Sequence, residues 1–157
     1  MIDSIDRQIL TILQENCRTS NAEVGRQVGL APSAIHERIR KLEVRKILVG
    51  CEARVAPRAA GLGLLAFVYV RTDETPGYTP TAEALAAIPE VLEIHHIAGE
   101  DCYLVKVRAA DAQALARLLR SRFGSISTVS STKTTIVLET IKESSRLPLA
   151  LEEVDGG

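Results

Sequence analysis

The sequence lacks the features that mark disulfide-rich, zinc-binding and membrane proteins. Its three cysteines, Cys17, Cys51 and Cys102, are far apart and show no C-x-x-C spacing. We therefore expect free thiols in a reducing compartment, with neither a disulfide framework nor a metal site. The longest apolar run, Leu62 to Val70, is too short to cross a bilayer, and the N-terminal stretch MIDSIDRQIL does not resemble a signal peptide. These absences predict a cytoplasmic protein without membrane contact.

A strong excess of charge is also absent. The net charge of the 157 residues is −1, which argues against a general coat for nucleic acid. The charge is unevenly distributed, however. Residues 1–60 contain ten Lys and Arg against seven Asp and Glu, a net of +3, whereas residues 61–157 have a net of −4. This division favours an N-terminal half that faces DNA and a C-terminal half with a different task.

The N-terminal half begins with a predicted amphipathic helix. Asp3 or Ser4 caps this helix, which ends near Asn16. Its apolar stripe has helical spacing and consists of Ile5, Ile9, Ile12 and Leu13. A stripe of this kind predicts burial against other helices.

Two further helices with a glycine turn between them follow. The second helix starts at a capping box formed by Ser20 and Glu23 and stops at Gly29. The third is entered through Pro32, which suits a first helical turn because its missing N–H would be unpaired there. The buried stripe of the third helix consists of Ile35, Ile39 and Leu42. A short capped helix, a turn and a basic second helix are typical of a helix-turn-helix that enters the DNA major groove.

The exposed side of the third helix carries the candidate DNA-reading residues. Arg40 can pair with guanine or phosphate, Ser33 lies at the helix N-terminus, and Glu37 can accept from cytosine. Arg38 lies beside the buried stripe, which favours a structural or phosphate-contacting role. The predicted DNA-binding set is Ser33, His36, Glu37, Arg38, Arg40 and Lys41. The plainer alternative is the polar face of an ordinary surface helix.

The second half alternates in the order β-α-β-β-α-β, the ferredoxin-like pattern. Strands are predicted at Leu64–Arg71, Val91–Ile97, Cys102–Arg108 and Ile126–Ile141, helices at Thr81–Ile88 and from Asp111 to about Phe123, and a loop at Pro76–Pro80. Before this region, Ile47–Val55 is β-rich and fits a short wing or a strand, and Pro57–Gly63 fits a linker. The fold class is therefore α+β, with a winged helix-turn-helix followed by a ferredoxin-like domain.

The first predicted strand, from Leu64 to Val70, is apolar on both faces. The helices of a β-α-β-β-α-β unit cover only one face of the sheet, so the other face needs a second cover. The sheet of a partner copy would supply it and would bring two recognition helices to a roughly palindromic operator. The alternative is a monomer in which the tail or the linker covers the sheet.

Two features of the second half bear on ligands. Gly99 allows a tight hairpin turn, near which Glu100 or Asp101 can meet an ammonium group and backbone N–H groups a carboxylate. An ordinary polar turn is the alternative. His95 and His96 are adjacent on a strand and point to opposite faces, which argues against a shared metal ion. One of them is expected at the sheet interface and the other against the helices.

The chain resembles the Lrp/AsnC family of feast/famine regulators over nearly its whole length. The segment IDRQILTILQENCRTSNAEVGRQVGLAPSAIHERIRKLE is similar to the family's helix-turn-helix, and AGEDCYLVKV and TKTTIVLET are similar to its RAM domain, the regulator of amino-acid metabolism. Departures from the family pattern occur at Ala31, Lys46, Cys51 and Cys102. The resemblance implies a transcriptional regulator that forms dimers and then tetramers or octamers. It also implies a small effector, commonly an amino acid, bound between dimers near Gly99–Cys102.

The residue patterns and the resemblance together give the domain boundaries and the effector residues. A helix-turn-helix domain is expected at 1–50, a linking strand and linker at 51–63, a RAM domain at 64–142 and a tail at 143–157. The predicted effector-binding residues are Ile97, Ala98, Gly99, Glu100, Asp101, Cys102, Thr132 and Thr134.

Two alternatives remain for the function. One is an enzyme that resembles the sirohaem decarboxylases, with His95 or His96 in its site. The other is an effector-sensing oligomeric module that does not bind DNA. Regulation is the preferred interpretation, without catalytic residues, cofactor or metal.

Overall fold

Three helices at the start of the chain confirm the predicted helix-turn-helix. In the computed structural model, which describes residues 2–75, 80–100 and 102–149, they are α1 (Ser4–Glu15), α2 (Asn21–Val28) and α3 (Pro32–Val44). The apolar stripes of the three helices meet in one core, formed by Ile9, Leu10, Leu13, Val24, Ile35 and Leu42. Because each stripe alone is one-sided, the helices acquire a buried core only by packing together.

The predicted caps form with one difference. At the start of α1, the carboxylate of Asp3 accepts from the Asp6 N–H at 2.7 Å, and the carboxylate of Asp6 accepts from the Asp3 N–H. At the start of α2, the Ser20 hydroxyl accepts from the Glu23 N–H at 3.2 Å. The Glu23 carboxylate turns instead to Arg26 and accepts from its guanidinium at 2.9 Å. Only half of the capping box predicted at Ser20 and Glu23 is therefore present.

The turns on either side of α3 differ in residue type. Gly29 ends α2 with a φ of +81°, in the left-handed region where glycine has no steric penalty. After α3, the Lys46 N–H donates to the Glu43 carbonyl and the Ile47 N–H to the Leu42 carbonyl, both at 2.9 Å. This is a Schellman ending, and Lys46 occupies its left-handed position with a φ of +57°.

The predicted wing is wrong. Residues 47–56, all of which the structure describes, contain no strand, and a series of turns follows at 57–61. The strand expected at Ile47–Val55, and with it the linking strand at the start of 51–63, is therefore not formed. A β-rich composition favours a strand only where another strand supplies hydrogen-bond partners. Within the described part of the first half, no such partner exists.

The expectation of three free thiols is also wrong. Cys17 and Cys51 form a disulfide across 34 residues of sequence, with a Cα–Cα distance of 6.0 Å. Cys102 is free. The fold brings the turn between α1 and α2 next to the segment after α3, and no sequence spacing reveals that proximity.

The chain falls into two units. The first contains the residues up to Ala53 together with those from Lys142 onward, and the second spans Arg54–Ile141. The predicted tail, residues 143–157, is described only as far as Leu149. It joins the first unit because the Leu147 N–H donates to the Gln14 side-chain oxygen at 2.6 Å and the Gln14 amide donates back to the Leu147 carbonyl at 3.1 Å.

The second unit has the predicted β-α-β-β-α-β order. Its elements are β1 (Leu64–Thr72), α4 (Pro80–Ala86), β2 (Val91–His96), β3 (Tyr103–Ala109), α5 (Ala112–Leu118) and β4 (Val129–Ile136). The strands form one antiparallel sheet in the order β2-β3-β1-β4. After α5, a π-helical turn at Leu119–Phe123 completes the segment that was predicted as one helix. Most of the predicted loop at Pro76–Pro80 lies outside the described residues.

The last strand is shorter than the predicted Ile126–Ile141. Its pairing with β1 runs from Val129 opposite Thr72 to Ile136 opposite Ala66. One further bond joins the Val137 N–H to the Leu65 carbonyl at 2.9 Å. Since β1 begins at Leu64, β4 has no further strand to pair with, and the ladder ends there.

The two faces of the sheet differ. One face is covered by α4 and α5, and its core includes Ala66, Val68, Val70, Val105 and Val107, together with Leu85, Leu115 and Phe123. On the opposite face, which we call the open face, Phe67, Tyr69 and Leu104 are half-buried. Lys133 lies 5.9 Å from the Tyr69 ring and Lys106 pairs with Glu93 there. No helix of the described second unit covers the open face.

We predict that Lys46→Gly stabilises the first unit. A side chain in the left-handed region costs about 1–2 kcal/mol, which exceeds the entropic penalty of about 0.5–1 kcal/mol for glycine. The expected gain in the free energy of unfolding is therefore about 1 kcal/mol, measured by thermal and urea denaturation under reducing conditions. Lys46→Ala is the matched control, because it removes the same ammonium group but keeps Cβ. An equal gain for both variants would contradict backbone strain as the cause.

Candidate DNA interface and effector site

The recognition helix α3 is fixed to α1 by one guanidinium. Nη1 of Arg38 donates to Asp3 at 2.8 Å and to Asp6 at 2.7 Å. Each aspartate uses one carboxylate oxygen for this bond and the other for the cap of α1. The hydrogen bond from the Asp6 backbone and that from Arg38 hold the pKa of Asp3 below its ordinary value. Arg38 therefore orients α3 and is directed toward α1.

The remaining predicted DNA-binding residues share the outer side of α3. Ser33, His36, Arg40 and Lys41 are exposed, and Glu37 is half-buried. His36 lies 3.5 Å from the amide nitrogen of Asn21 at the start of α2. The N-cap of α3 is Ala31, which provides no side-chain bond. The first turn of α3 therefore has no capping bond from its N-cap side chain.

Arg40, the main candidate for base reading, is held by a neighbouring carboxylate. Its Nε and Nη2 atoms donate to the two oxygens of Glu37 at 3.0 and 2.8 Å. Lys41 lies 3.8 Å from the same carboxylate. The hydrogen bond from Arg40 lowers the pKa of Glu37, which therefore stays ionised at neutral pH. To contact a base or a phosphate, the Arg40 guanidinium must either leave the Glu37 carboxylate or bind the DNA while it remains paired.

The candidate effector loop is the connection between β2 and β3. The Ile97 N–H donates to the Cys102 carbonyl at 3.0 Å and closes the loop. Gly99 has a φ of +133°, a conformation that favours glycine. Ala98, Gly99 and Glu100 are exposed, and Asp101 lies outside the described residues. A ligand can approach exposed loop backbone of this kind.

Arg71 was missed by the sequence reasoning. Its Nη2 atom donates to the Glu100 carboxylate at 2.8 Å and ties the loop to the end of β1. The Arg71–Glu100 pair places one positive and one negative charge at the loop. An amino acid carries the same two charges, so its carboxylate and ammonium group can compete for these partners.

The predicted threonines lie in the same end of the sheet as the loop. Thr132 and Tyr103 are both paired with Val70, on opposite sides of β1, and Thr134 is paired with Val68. Two strand spacings, about 10 Å, therefore separate Thr132 from the residue that follows the loop. The threonines and the loop therefore lie at the same end of the sheet, but Thr132 and Tyr103 are not in direct contact.

A polar network beneath the loop was also missed. Glu74 accepts from the Thr81 N–H at 2.6 Å, from the Thr72 hydroxyl at 3.2 Å and from the Tyr103 hydroxyl at 3.2 Å. Burial acts to raise the pKa of Glu74, but these hydrogen bonds outweigh it and leave the pKa below its ordinary value. The Thr72 hydroxyl also lies 3.3 Å from the sulfur of Cys102. In the sequence, the polar residues directly after the apolar first strand were a signal that could have indicated this network.

The two adjacent histidines point to opposite faces, as predicted. His96 lies on the helix-covered side, where its ring centroid is 5.3 Å from that of Tyr103. His95 lies 3.3 Å from Glu93 on the open face. Both are exposed in the single chain, so the expectation that one packs against the helices is wrong. Among the described residues, no group of three potential metal ligands is present.

Family models match both halves of the chain. Residues 2–43 match the AsnC-type helix-turn-helix domain, and residues 65–147 match the Lrp/AsnC ligand binding domain. Among curated relatives, the HTH-type transcriptional regulator FL11 of Pyrococcus horikoshii is 37% identical over 94% of this chain and 97% of its own length. The leucine-responsive regulatory protein of Escherichia coli K12 is 34% identical over 93% of this chain and 90% of its own.

The solved structures agree with this assignment. The transcriptional regulator NMB0573 of Neisseria meningitidis, in its L-Met complex, superposes with a TM-score of 0.89 at 31% identity and covers 95% of this chain and 97% of that one. These relatives are regulators, which favours regulation over the decarboxylase alternative. The chain therefore belongs to the Lrp/AsnC family of helix-turn-helix transcriptional regulators.

Proposed function

We propose that this regulator reads a roughly palindromic DNA site as a dimer and responds to an amino acid. The observation that carries the proposal is the exposed outer side of α3, which presents Ser33, His36, Arg40 and Lys41 on a helix held in place by Arg38. A helix so oriented can place its N-terminal half in the major groove. Because it works on DNA, we place the protein in the cytoplasm.

The small positive charge of the first unit affects how strongly it binds DNA. Glu37 neutralises part of the positive charge of Arg40 and Lys41 in the free protein. Near phosphates the carboxylate is repelled, so each Lys or Arg contact must overcome that cost. A single reading helix with this charge balance binds weakly, and two copies on one DNA site gain from each other by effective concentration.

The open face of the sheet supports the dimer. Phe67, Tyr69 and Leu104 are only half-buried on that face, although all three are large. The alternative covers were the tail and the linker. Residues 142–149 of the tail belong to the first unit, where the Leu147 N–H donates to Gln14. The predicted linker, residues 57–63, is exposed except at the half-buried Pro57. A second copy of the same face is self-complementary, since Glu93 and the cations Lys106 and Lys133 can pair across a two-fold axis. Larger assemblies, tetramers or octamers, would then place two effector loops next to each other.

The effector proposal rests on the loop from Ile97 to Cys102 with Thr132 and Thr134. Glu100 and Arg71 offer opposite charges to a zwitterion, and the exposed backbone at Gly99 offers N–H groups to its carboxylate. The related Neisseria regulator has been solved with L-Met. An α-amino acid is therefore the ligand class that we propose for this loop.

We predict that Arg40→Ala weakens binding to a selected DNA site by about 1–3 kcal/mol and lowers the salt dependence by about one phosphate contact. The variant loses a base or phosphate contact and leaves the Glu37 carboxylate near the DNA without its Arg40 partner. Fluorescence anisotropy at several salt concentrations measures both effects. Arg117→Ala is the matched control, because this exposed arginine lies in the last turn of α5 in the other unit. Equal affinity of the Arg40 variant and the wild type would contradict the docking of α3.

We predict that Gly99→Asp abolishes the response to the effector and leaves DNA binding intact. The φ of +133° disfavours any side chain, and the added carboxylate repels that of the ligand. A thermal-shift screen of the twenty common amino acids should find at least one that raises the melting temperature of the wild type, because it binds only the folded state.

The control for this screen is Gly50→Asp. A Cβ at Gly50 meets no atom, so the same substitution is tolerated there. The variant at Gly50 should respond to the amino acid as the wild type does. A normal response of Gly99→Asp would place the effector elsewhere.

A further inference from the structure

The disulfide between Cys17 and Cys51 brackets the DNA-reading helices. Cys17 lies in the turn between α1 and α2, and Cys51 lies in the irregular segment after α3. The bond therefore closes a loop that contains the whole of α2 and α3. Its Cα–Cα distance of 6.0 Å is ordinary for a disulfide. Nothing in the proposed DNA or effector sites requires this bond.

The bond also fixes a segment that regular structure does not hold. Residues 49–56, all within the described chain, lie outside any helix or strand. The last backbone bond of the Schellman region joins the Leu48 N–H to the Leu42 carbonyl at 3.1 Å. Cys51 then anchors the chain to the α1–α2 turn shortly before the second unit begins at Arg54. Opening the bond removes the covalent anchor of this segment at Cys51.

We propose that Cys17 and Cys51 form a reversible redox site that controls the rigidity of the helix-turn-helix. Both residues are exposed, so a small thiol or disulfide can reach the sulfur atoms. The reversibility rests on the proposed location with the DNA, because disulfides in a reducing cytosol are mostly transient and sense redox state. The third cysteine, Cys102, is half-buried beside Thr72 in the second unit and takes no part.

The chemistry is thiol–disulfide exchange with a low-molecular-weight disulfide as oxidant. The thiolate of one cysteine attacks a sulfur of the oxidant, forms a mixed disulfide and expels one small thiolate. The second cysteine, as its thiolate, then attacks the protein sulfur of the mixed disulfide and expels the other small thiolate. The two protons lost by the cysteines are taken up by the two leaving thiolates. The protein loses two electrons and the oxidant gains them.

Closing the bond has two consequences for the reading unit. It removes conformational freedom from the unfolded chain between residues 17 and 51, which stabilises α2 and α3. It also preorganises the segment that leads from the helices toward the second unit, so less freedom is lost when DNA is bound. We therefore expect the oxidised protein to have the higher melting temperature and the higher affinity for DNA.

The test uses the full-length protein equilibrated in glutathione buffers of graded redox ratio. Free thiols are counted by mass spectrometry after alkylation, and melting temperature and DNA affinity are measured at both extremes. We expect two thiols to appear together on reduction, with a fall in melting temperature of roughly 10 °C and a severalfold loss of DNA affinity. Cys17→Ser and Cys51→Ser should show no redox response in any of the three measurements. Thr19→Ser, the matched control, makes a small change in the turn that carries Cys17, keeps a hydroxyl for the bond to the Asn16 carbonyl and leaves both cysteines in place. It should respond as the wild type does.

Several outcomes would overturn the proposal. A bond that stays closed, or never forms, over the whole glutathione range would exclude a reversible site. Disulfides between two chains on a non-reducing gel would exclude the intramolecular bond. An equal DNA affinity of the oxidised and reduced wild type would exclude control of DNA binding by the disulfide. If neither form binds DNA, the proposed function fails separately, because the thiol count and the melting temperature still report on the redox site.

Discussion

The placement of the recognition helix depends on one guanidinium shared by two carboxylates. Asp3 and Asp6 cap α1 with one oxygen each and bind Arg38 with the other. The cap of α1 and the polar attachment of α3 to α1 thus share the same two carboxylates. The side chain of Asp6 is only 12% exposed and that of Arg38 31%. Charge-assisted bonds in such a partly buried position are stronger than ordinary surface ion pairs. Arg40 and Lys41 lie exposed on the outer side of α3, where we propose that they contact DNA.

The two units divide the work of a regulator along the chain. The first unit uses all its apolar stripes internally and leaves a polar helix face exposed. The second unit covers one face of its sheet with helices and leaves the large side chains of Phe67, Tyr69 and Leu104 half-buried on the other. In the dimer that we propose, the open face of the sheet is the interface, and the partner copy supplies the second recognition helix that a palindromic DNA site requires.

Local signals explain what could be predicted from the sequence. Caps, the glycine turn at Gly29 and Pro32 act within a few residues, so the three helices and their ends were predictable. The alternation of strands and helices in the second half was predictable for the same reason. The predicted wing failed because strand formation depends on a partner, and β4 ended early because β1 ends the ladder. The disulfide and the Arg71–Glu100 pair join residues distant in sequence, which no local pattern encodes. The polar residues after β1 were a local signal for the Glu74 network, but its bond from Tyr103 also joins distant residues.

The most direct test of the account is a footprint of the full-length protein on a DNA site selected from random duplexes. Hydroxyl-radical cleavage should show two protected patches with centres about 34 Å apart, or a multiple of that distance, on one face of the helix. Sedimentation of the same complex should give an even number of chains for each site. One protected patch with one bound chain would contradict the dimeric reader.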